Sequence, residues 1–270
     1  MLFRSMQQVF GQQRRMIFEE DLGRAMARAE GRRVMVWAGK APDIAPGIAR
    51  VEDGFLRSRG LGAELVPPLS LAIDDLGIYY DPTQPSRLEE LIAASDGLSQ
   101  AEHRRAEKLI AQIIRSGVSK YNLGGDAPPD LPRGRKILVP GQVEDDASIR
   151  KGTGAVSTNL ALLQATRAAN PDAAILYKPH PDVEAGLRAG AVAEADALGV
   201  ADAVVRGDPV ALIRAVDAVW TMTSALGFEA LLRGVPVTCL GVPFYAGWGL
   251  TEDQMETPLR RGGEIGRAHV

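Results

Sequence analysis

The sequence predicts an α/β protein built from two Rossmann-like halves whose parallel sheets face a common cleft. Three observations lead there. From residue 136 onward, short apolar runs alternate with helical stretches, the rhythm of parallel strands joined by crossover helices. Residues 122–134 (NLGGDAPPDLPRG) gather Gly, Pro and Asp into a linker. Ahead of that linker stands a second series of short apolar runs and helical stretches, so the halves are expected at 6–121 and 135–263.

Taken in order, VMVW at 34–37 followed by Gly39 reads as a buried strand and turn. Residues 48–51 form a second short strand leading into Glu52-Asp53-Gly54-Phe55, and the prolines and alternating apolar positions of 61–75 read as strand and turn. Residues 87–118 switch to helical spacing, with Leu88, Leu91 and Ile92 and then Ala106, Leu109, Ile110 and Ile113. Ser99 and Glu102 form a capping box for the second of these helices. Beyond the linker, strands are expected at 136–140, 173–177, 204–205, 218–220 and 235–240. Helices are expected through 160–169, after Pro181, and at 209–216 and 224–233.

With 270 residues, 46% of them hydrophobic and 24% charged, the chain can bury one large or two modest cores. A net charge of −3 offers no basic face, so no nucleic acid partner is expected. Cys239 is alone and cannot form an internal disulfide, which fits a reducing cytoplasm. No apolar run reaches the roughly 18–20 residues of a membrane span. The opening stretch MLFRSMQQVFGQQRR also lacks a signal-peptide core. Any membrane role is therefore expected at the surface. Residues 2–5 and 264–270 can both be encoded by a common DNA-sequencing adapter, one strand at each end, which marks out 1–5 and 264–270. They are expected to be artefacts flanking a fragment of a longer gene, so His269 is given no role.

Four segments could carry chemistry. Lys178-Pro179-His180-Pro181 closes an expected strand, where open α/β sheets gather ligands; it suits a phosphate, or is simply a rigid turn. Thr223 and Ser224 open a helix and read either as anion-binding hydroxyls or as ordinary N-caps. Glu229, on the same helix, could accept ribose hydroxyls or lie on a solvated face. Gln142-Val143-Glu144-Asp145-Asp146 puts three carboxylates at a strand end, for a metal, a substrate or a nucleophile, or as a plain acidic loop. Glu52 and Asp53 stand at an equivalent strand end in the first half. One carboxylate from each half across a cleft is the arrangement used on glycosidic bonds. No P-loop, G-x-G-x-x-G, nucleophile elbow or zinc pattern is present, and His103 reads as a surface residue.

Together, VEDGFLRSRGLG (51–62), PPLSLAIDDLGIYYDP (67–82), GQVEDDAS (141–148), YKPHPDV (177–183) and TSALGFEALLRGVPVTCLGVPFYAGWG (223–249) resemble the bacterial capsule-polysaccharide β-Kdo transferases, long labelled capsule export proteins. The resemblance implies a GT-B architecture with an acceptor-side half and a nucleotide-sugar-binding half. It implies transfer of Kdo from CMP-Kdo to a lipid-linked acceptor of phosphatidylglycerol type, with retention of β configuration. The GQVEDDAS wording is closer to the second of the two transferase modules such chains often carry. The resemblance makes Asp146 the nucleophile, with Asp145 as fallback, and Glu52 the acid/base group, with Asp53 its rival. Gln142, Lys178, His180, Pro181, Thr223, Ser224 and Glu229 become donor-binding residues. Arg57, Arg59, Arg150 and Lys151 are unranked candidates for the sugar carboxylate or an acceptor phosphate. No metal or cofactor is called for. The protein is expected in the cytoplasm, peripheral to the inner membrane, beside other capsule assembly proteins. Two further readings stay open: a capsule export or binding protein without catalysis, and a nucleotide-sugar epimerase on the same fold.

Overall fold

The computed structural model describes residues 16–40, 48–61, 66–124 and 130–262, together with Met6, Gln7 and Phe10. The expected adapter-derived ends, His269 and the middle of the linker lie outside the described residues.

The first part of the chain runs through helix α1 (Leu22–Ala27) and strands β1 (Met35–Trp37), β2 (Ala49–Asp53) and β3 (Leu71–Asp74). Helices α2 (Arg87–Ala93) and α3 (Gln100–Ser116) follow. Strand β2 is central: β1 runs parallel to it and β3 antiparallel. The expectation of an all-parallel sheet is corrected here. Between β2 and β3 the described residues contain no crossover helix, and an antiparallel return needs none. Gly54, at the end of β2, lets Ser70 approach so closely that a Cβ would stand 2.3 Å from its Oγ. The capping box of Ser99 and Glu102 forms as expected, and a second one, Ser86 with Glu89, opens α2.

The second part follows the expected rhythm. It comprises β4 (Lys136–Pro140), α4 (Ala147–Gly152), α5 (Asn159–Ala169), β5 (Ala174–Lys178), α6 (Pro181–Glu184), α7 (Glu194–Leu198) and β6 (Ala203–Val204). Then come α8 (Pro209–Arg214), β7 (Ala218–Thr221), α9 (Ala225–Leu231), β8 (Val237–Cys239) and β9 (Glu252–Asp253). The sheet order is β6-β5-β4-β7-β8-β9, parallel throughout. Counted from β4 this is the doubly wound order 3-2-1-4-5-6, whose switch point lies between β4 and β7. Local chemistry places the helix starts: Thr158, Asp208 and Ser224 each accept a backbone N–H inside the following turn, and Pro209 takes the first position of α8.

Successive strand residues bury opposite faces. Ile137, Val139, Ile175 and Tyr177 join Leu162 and Leu163 of α5 in one cluster. Leu138, Leu176 and Val219 join Leu212, Ile213 and Phe244 in the other. The two parts meet through an aromatic contact, Phe55 against Phe244 at 4.7 Å between ring centroids, and through a charged clamp. In that clamp Glu89 receives Arg261 Nε at 2.6 Å and Arg260 Nε at 2.8 Å from the turn at 259–261.

Candidate active site

A cavity of about 720 Å³ opens where the end of β2 faces the ends of β4, β5 and β7. Its walls include Glu52 and Asp53 from the first part and Gln142, Asp146, Lys178, His180, Thr223 and Glu229 from the second. Pro181 and Ser224 also line it, whereas Asp145 does not.

The switch point is bridged by Gln142. Its Oε1 accepts the N–H of Thr223 at 2.9 Å and the hydroxyl of Thr221 at 3.2 Å, while its Nε2 donates to Thr223 Oγ1 at 2.9 Å. The loop carrying Gln142 is held by Asn159, whose Oδ1 accepts Gln142 N and whose Nδ2 donates to Gln142 O, both at 2.8 Å. Gly141 brings the ends of β4 and β5 together. Its N–H donates to Lys178 O at 2.7 Å, and a Cβ there would stand 2.8 Å from the Tyr177 hydroxyl and 3.1 Å from His180 N.

The three acids of the loop at 144–146 do different work. Glu144 Oε1 accepts the N–H of Asn159 at 2.7 Å at the start of α5. Asp145 is exposed and receives Arg188 at 3.0 Å. Asp146 caps α4, its Oδ1 accepting Ser148 N at 2.9 Å and the Ser148 hydroxyl at 2.7 Å, and it faces the cavity. Asp146 is therefore an N-cap and a cavity carboxylate at once.

In the first part, Asp53 is bound by Arg57, whose guanidinium also donates to Ser58 Oγ and Val66 O at 2.9 Å each. Among the described residues Glu52 accepts the N–H of Asp53, at 3.0 Å on its Oε1, and no cation pairs with it. Burial, helped by the charges of Asp53 and Asp146, pushes the Glu52 carboxyl up to about 7. Of the two, Glu52 is thus the one poised to trade a proton near neutrality.

On the other side His180 caps α6, its Nδ1 accepting Asp182 N at 3.2 Å. Burial and the nearby Lys120 and Lys178 push its imidazole down to about 4. The neutral ring with Nδ1 accepting carries its proton on Nε2, which can donate to an anion. Burial also lowers the Lys178 ammonium. Glu229 is buried, accepts Lys120 N at 2.8 Å on Oε1, and has no partner for Oε2 among the described residues; burial raises its carboxyl.

Of the four basic candidates, only Arg57 lines the cavity, and it is committed to Asp53. Lys151 pairs with Asp81, and Arg59 and Arg150 are exposed away from the cavity wall. Sequence reasoning missed Lys120, Ser148 and Asn159. Lys120 follows an amphipathic helix as an ordinary polar residue would, and nothing local marks it. Tyr79 and Tyr80, which also line the cavity, were legible only as part of the GIYYDP phrase.

Residues 28–264 match a protein family described as capsule polysaccharide biosynthesis protein. The chain is 45% identical over 243 residues to the capsule polysaccharide modification protein LipA of Neisseria meningitidis serogroup B, covering 89% of this chain and 34% of that protein. It is 48% identical over 218 residues to the lipopolysaccharide-processing protein LpsZ of Rhizobium meliloti, covering 78% of this chain and 49% of LpsZ. It thus spans between a third and a half of those relatives. Among solved structures it is similar to the β-Kdo 2,7 transferase of Thermosulfurimonas dismutans KpsC, with a TM-score of 0.78 and 34% identity, covering 98% of this chain and 83% of the other. The β-Kdo 2,4 transferase of the same KpsC gives a TM-score of 0.71 and 35% identity, covering 84% and 74%. With its sequence matched over most of its length, this chain belongs to the capsule polysaccharide biosynthesis protein family.

Proposed function

We propose that this chain is a glycosyltransferase module that moves Kdo from CMP-Kdo to a lipid-linked saccharide, retaining the β configuration. The observation that carries the reading is the meeting of Glu52 and Asp146, from the two parts of the chain, in one cavity with His180 and Glu229. The Kdo transferase identity of the two KpsC neighbours supports the same class of reaction. We read the two parts as the acceptor and donor domains of a GT-B enzyme.

The chemistry follows from the positions. An Asp146 oxygen attacks the anomeric carbon as its bond to the CMP phosphate oxygen breaks, and CMP leaves with the electron pair. His180 Nε2–H, with the Lys178 ammonium beside it, stabilises the departing phosphate, and Thr223 and Ser224 add hydroxyls. The unpartnered Oε2 of Glu229 accepts from the ribose. Glu52 then takes the proton of the acceptor hydroxyl, whose oxygen attacks the same carbon and expels Asp146. Two inversions at one carbon amount to retention. The scheme uses no metal or cofactor. A lipid-linked acceptor places the enzyme at the inner membrane surface, with other capsule assembly proteins as neighbours.

Mass spectrometry after mixing the chain with CMP-Kdo and a synthetic Kdo-lipid acceptor tests the reading. Wild type should yield product one Kdo heavier, and Asp146→Asn should lose at least about a thousandfold in rate. No product and no CMP release from folded wild type would overturn the transferase in favour of a binding protein.

A further inference from the structure

The proposed reaction puts a charge problem inside the cavity. An acidic sugar of the 2-keto acid type carries its carboxylate on the anomeric carbon itself. That carbon must sit between Glu52 and Asp146, beside Asp53, so a fourth carboxylate enters a region already lined by three. Such a group needs a cation within reach, and the four expected from the sequence are unsuited: Arg57 and Lys151 are paired, and Arg59 and Arg150 point elsewhere. Arg188, which also lines the cavity, is paired with Asp145.

Lys120 is placed differently. It lines the cavity, its Nζ lies 5.3 Å from the centroid of the Tyr121 ring, and its ammonium makes no ion pair or hydrogen bond among the described residues. Its backbone is fixed from three sides: N–H to Glu229 Oε1 at 2.8 Å, and C=O from Arg57 N at 2.9 Å and Ser58 N at 3.1 Å. The side chain is therefore delivered from an anchored loop, with its charge left over. Burial works against that charge, but Tyr121, Tyr79, Asp53 and Asp146 outweigh it and hold the ammonium above the ordinary lysine value. Lys178 also lines the cavity, but the acids that act on it are Glu184 and Asp208, whereas those that act on Lys120 include Asp53 and Asp146.

We infer that Lys120 is the receptor for the carboxylate of the transferred sugar, and so the residue that selects an acidic sugar over a neutral one. The inference rests on the transferase reading for the placement of the anomeric carbon. Its test separates the two. Equilibrium displacement of a fluorescent CMP analogue is measured with CMP and with CMP-Kdo, in chains carrying Asp146→Asn to keep the donor intact, with and without Lys120→Met. CMP has the phosphate and base but lacks the carboxylate. Lys120→Met should weaken CMP-Kdo at least tenfold and leave CMP within about twofold, and Lys120→Arg should recover most of the loss. Retained CMP binding also certifies the fold; Lys120→Gln serves if the methionine variant fails to fold. Equal weakening of both ligands would assign Lys120 to the phosphate and overturn the inference, as would no change in either. Failure of the transferase reading would show separately, as wild type that binds CMP and forms no product.

Discussion

The six-stranded part of this molecule buries apolar residues on both faces of its sheet, whereas among the described residues the three-stranded part contributes no member to either of those two clusters. Instead Phe55, Tyr79 and Leu88 pack onto the larger part's second cluster from outside. It is also attached through polar contacts, among them Glu89 to Arg260 and Arg261, Asp81 to Lys151, Val118 O to Arg233, and Lys120 N to Glu229. Both parts bury apolar residues of their own, Ile48, Ala49, Val51 and Ile78 in the smaller one among them, and this contact joins the two. Glu52 sits in the smaller part and Asp146 in the larger, so the alignment of the two carboxylates is a property of their interface. That contrast can be tested by perturbing each side.

The largest effect is expected at Glu52. Glu52→Gln should lower turnover by about 10²–10⁴-fold while leaving CMP affinity unchanged, because the groups proposed to bind CMP belong to the other part. In wild type, acceptor kcat/KM should rise with pH through about 7, since a general base must be ionised and burial holds Glu52 near that value. The limb should vanish in the variant, and rate–pH profiles of both chains measure it.

Next comes the clamp. Glu89→Gln strands Arg261, which is 1% exposed, without its counter-charge and should destabilise the protein by about 3–5 kcal/mol in denaturant titration. If only the smaller part were released, CMP binding would survive at denaturant concentrations where transfer is already lost.

A smaller effect concerns stability and pH. The folded Glu52 carboxyl is raised from 4.5 to about 7, so the folded state holds the proton longer than the unfolded chain. Its contribution is fully present below pH 4.5 and is lost as pH rises through 7. Glu52→Gln should therefore gain about 1–3 kcal/mol relative to wild type at pH 8 and little at pH 4.5, read as the difference in Tm between the chains. The smallest effect is expected from Asp145→Asn. Its carboxylate is 57% exposed, stands outside the cavity lining and binds Arg188 in an exposed pair, so stability should change by less than about 0.5 kcal/mol and turnover by less than about twofold.

Much of the larger part was legible because its signals are local. The apolar runs at 136–140 and 218–220 and the caps at Thr158 and Ser224 act within a few residues of themselves. The smaller part was less legible. Its strands of three to five residues carry too few positions to show direction, so a parallel sheet was expected where β3 runs antiparallel. At the site, all but one of the expected catalytic and donor residues line the cavity. Asp145 is the exception, since three adjacent acids look alike until Asn159 and Arg188 claim two of them.

The sequence alone determined the kind of sheet in the larger part, the strand ends on which chemistry could sit, and the family to which the chain belongs. Tertiary structure decided which charges are spent and which remain. Gln142 meets Thr223 across 81 residues and Lys120 meets Glu229 across 109. Whether a cation is neutralised depends on such distant partners and on burial, neither of which has any local signature. For that reason four plausible basic residues proved committed or remote, and Lys120, unmarked in the sequence, was left facing the cavity with its charge unused.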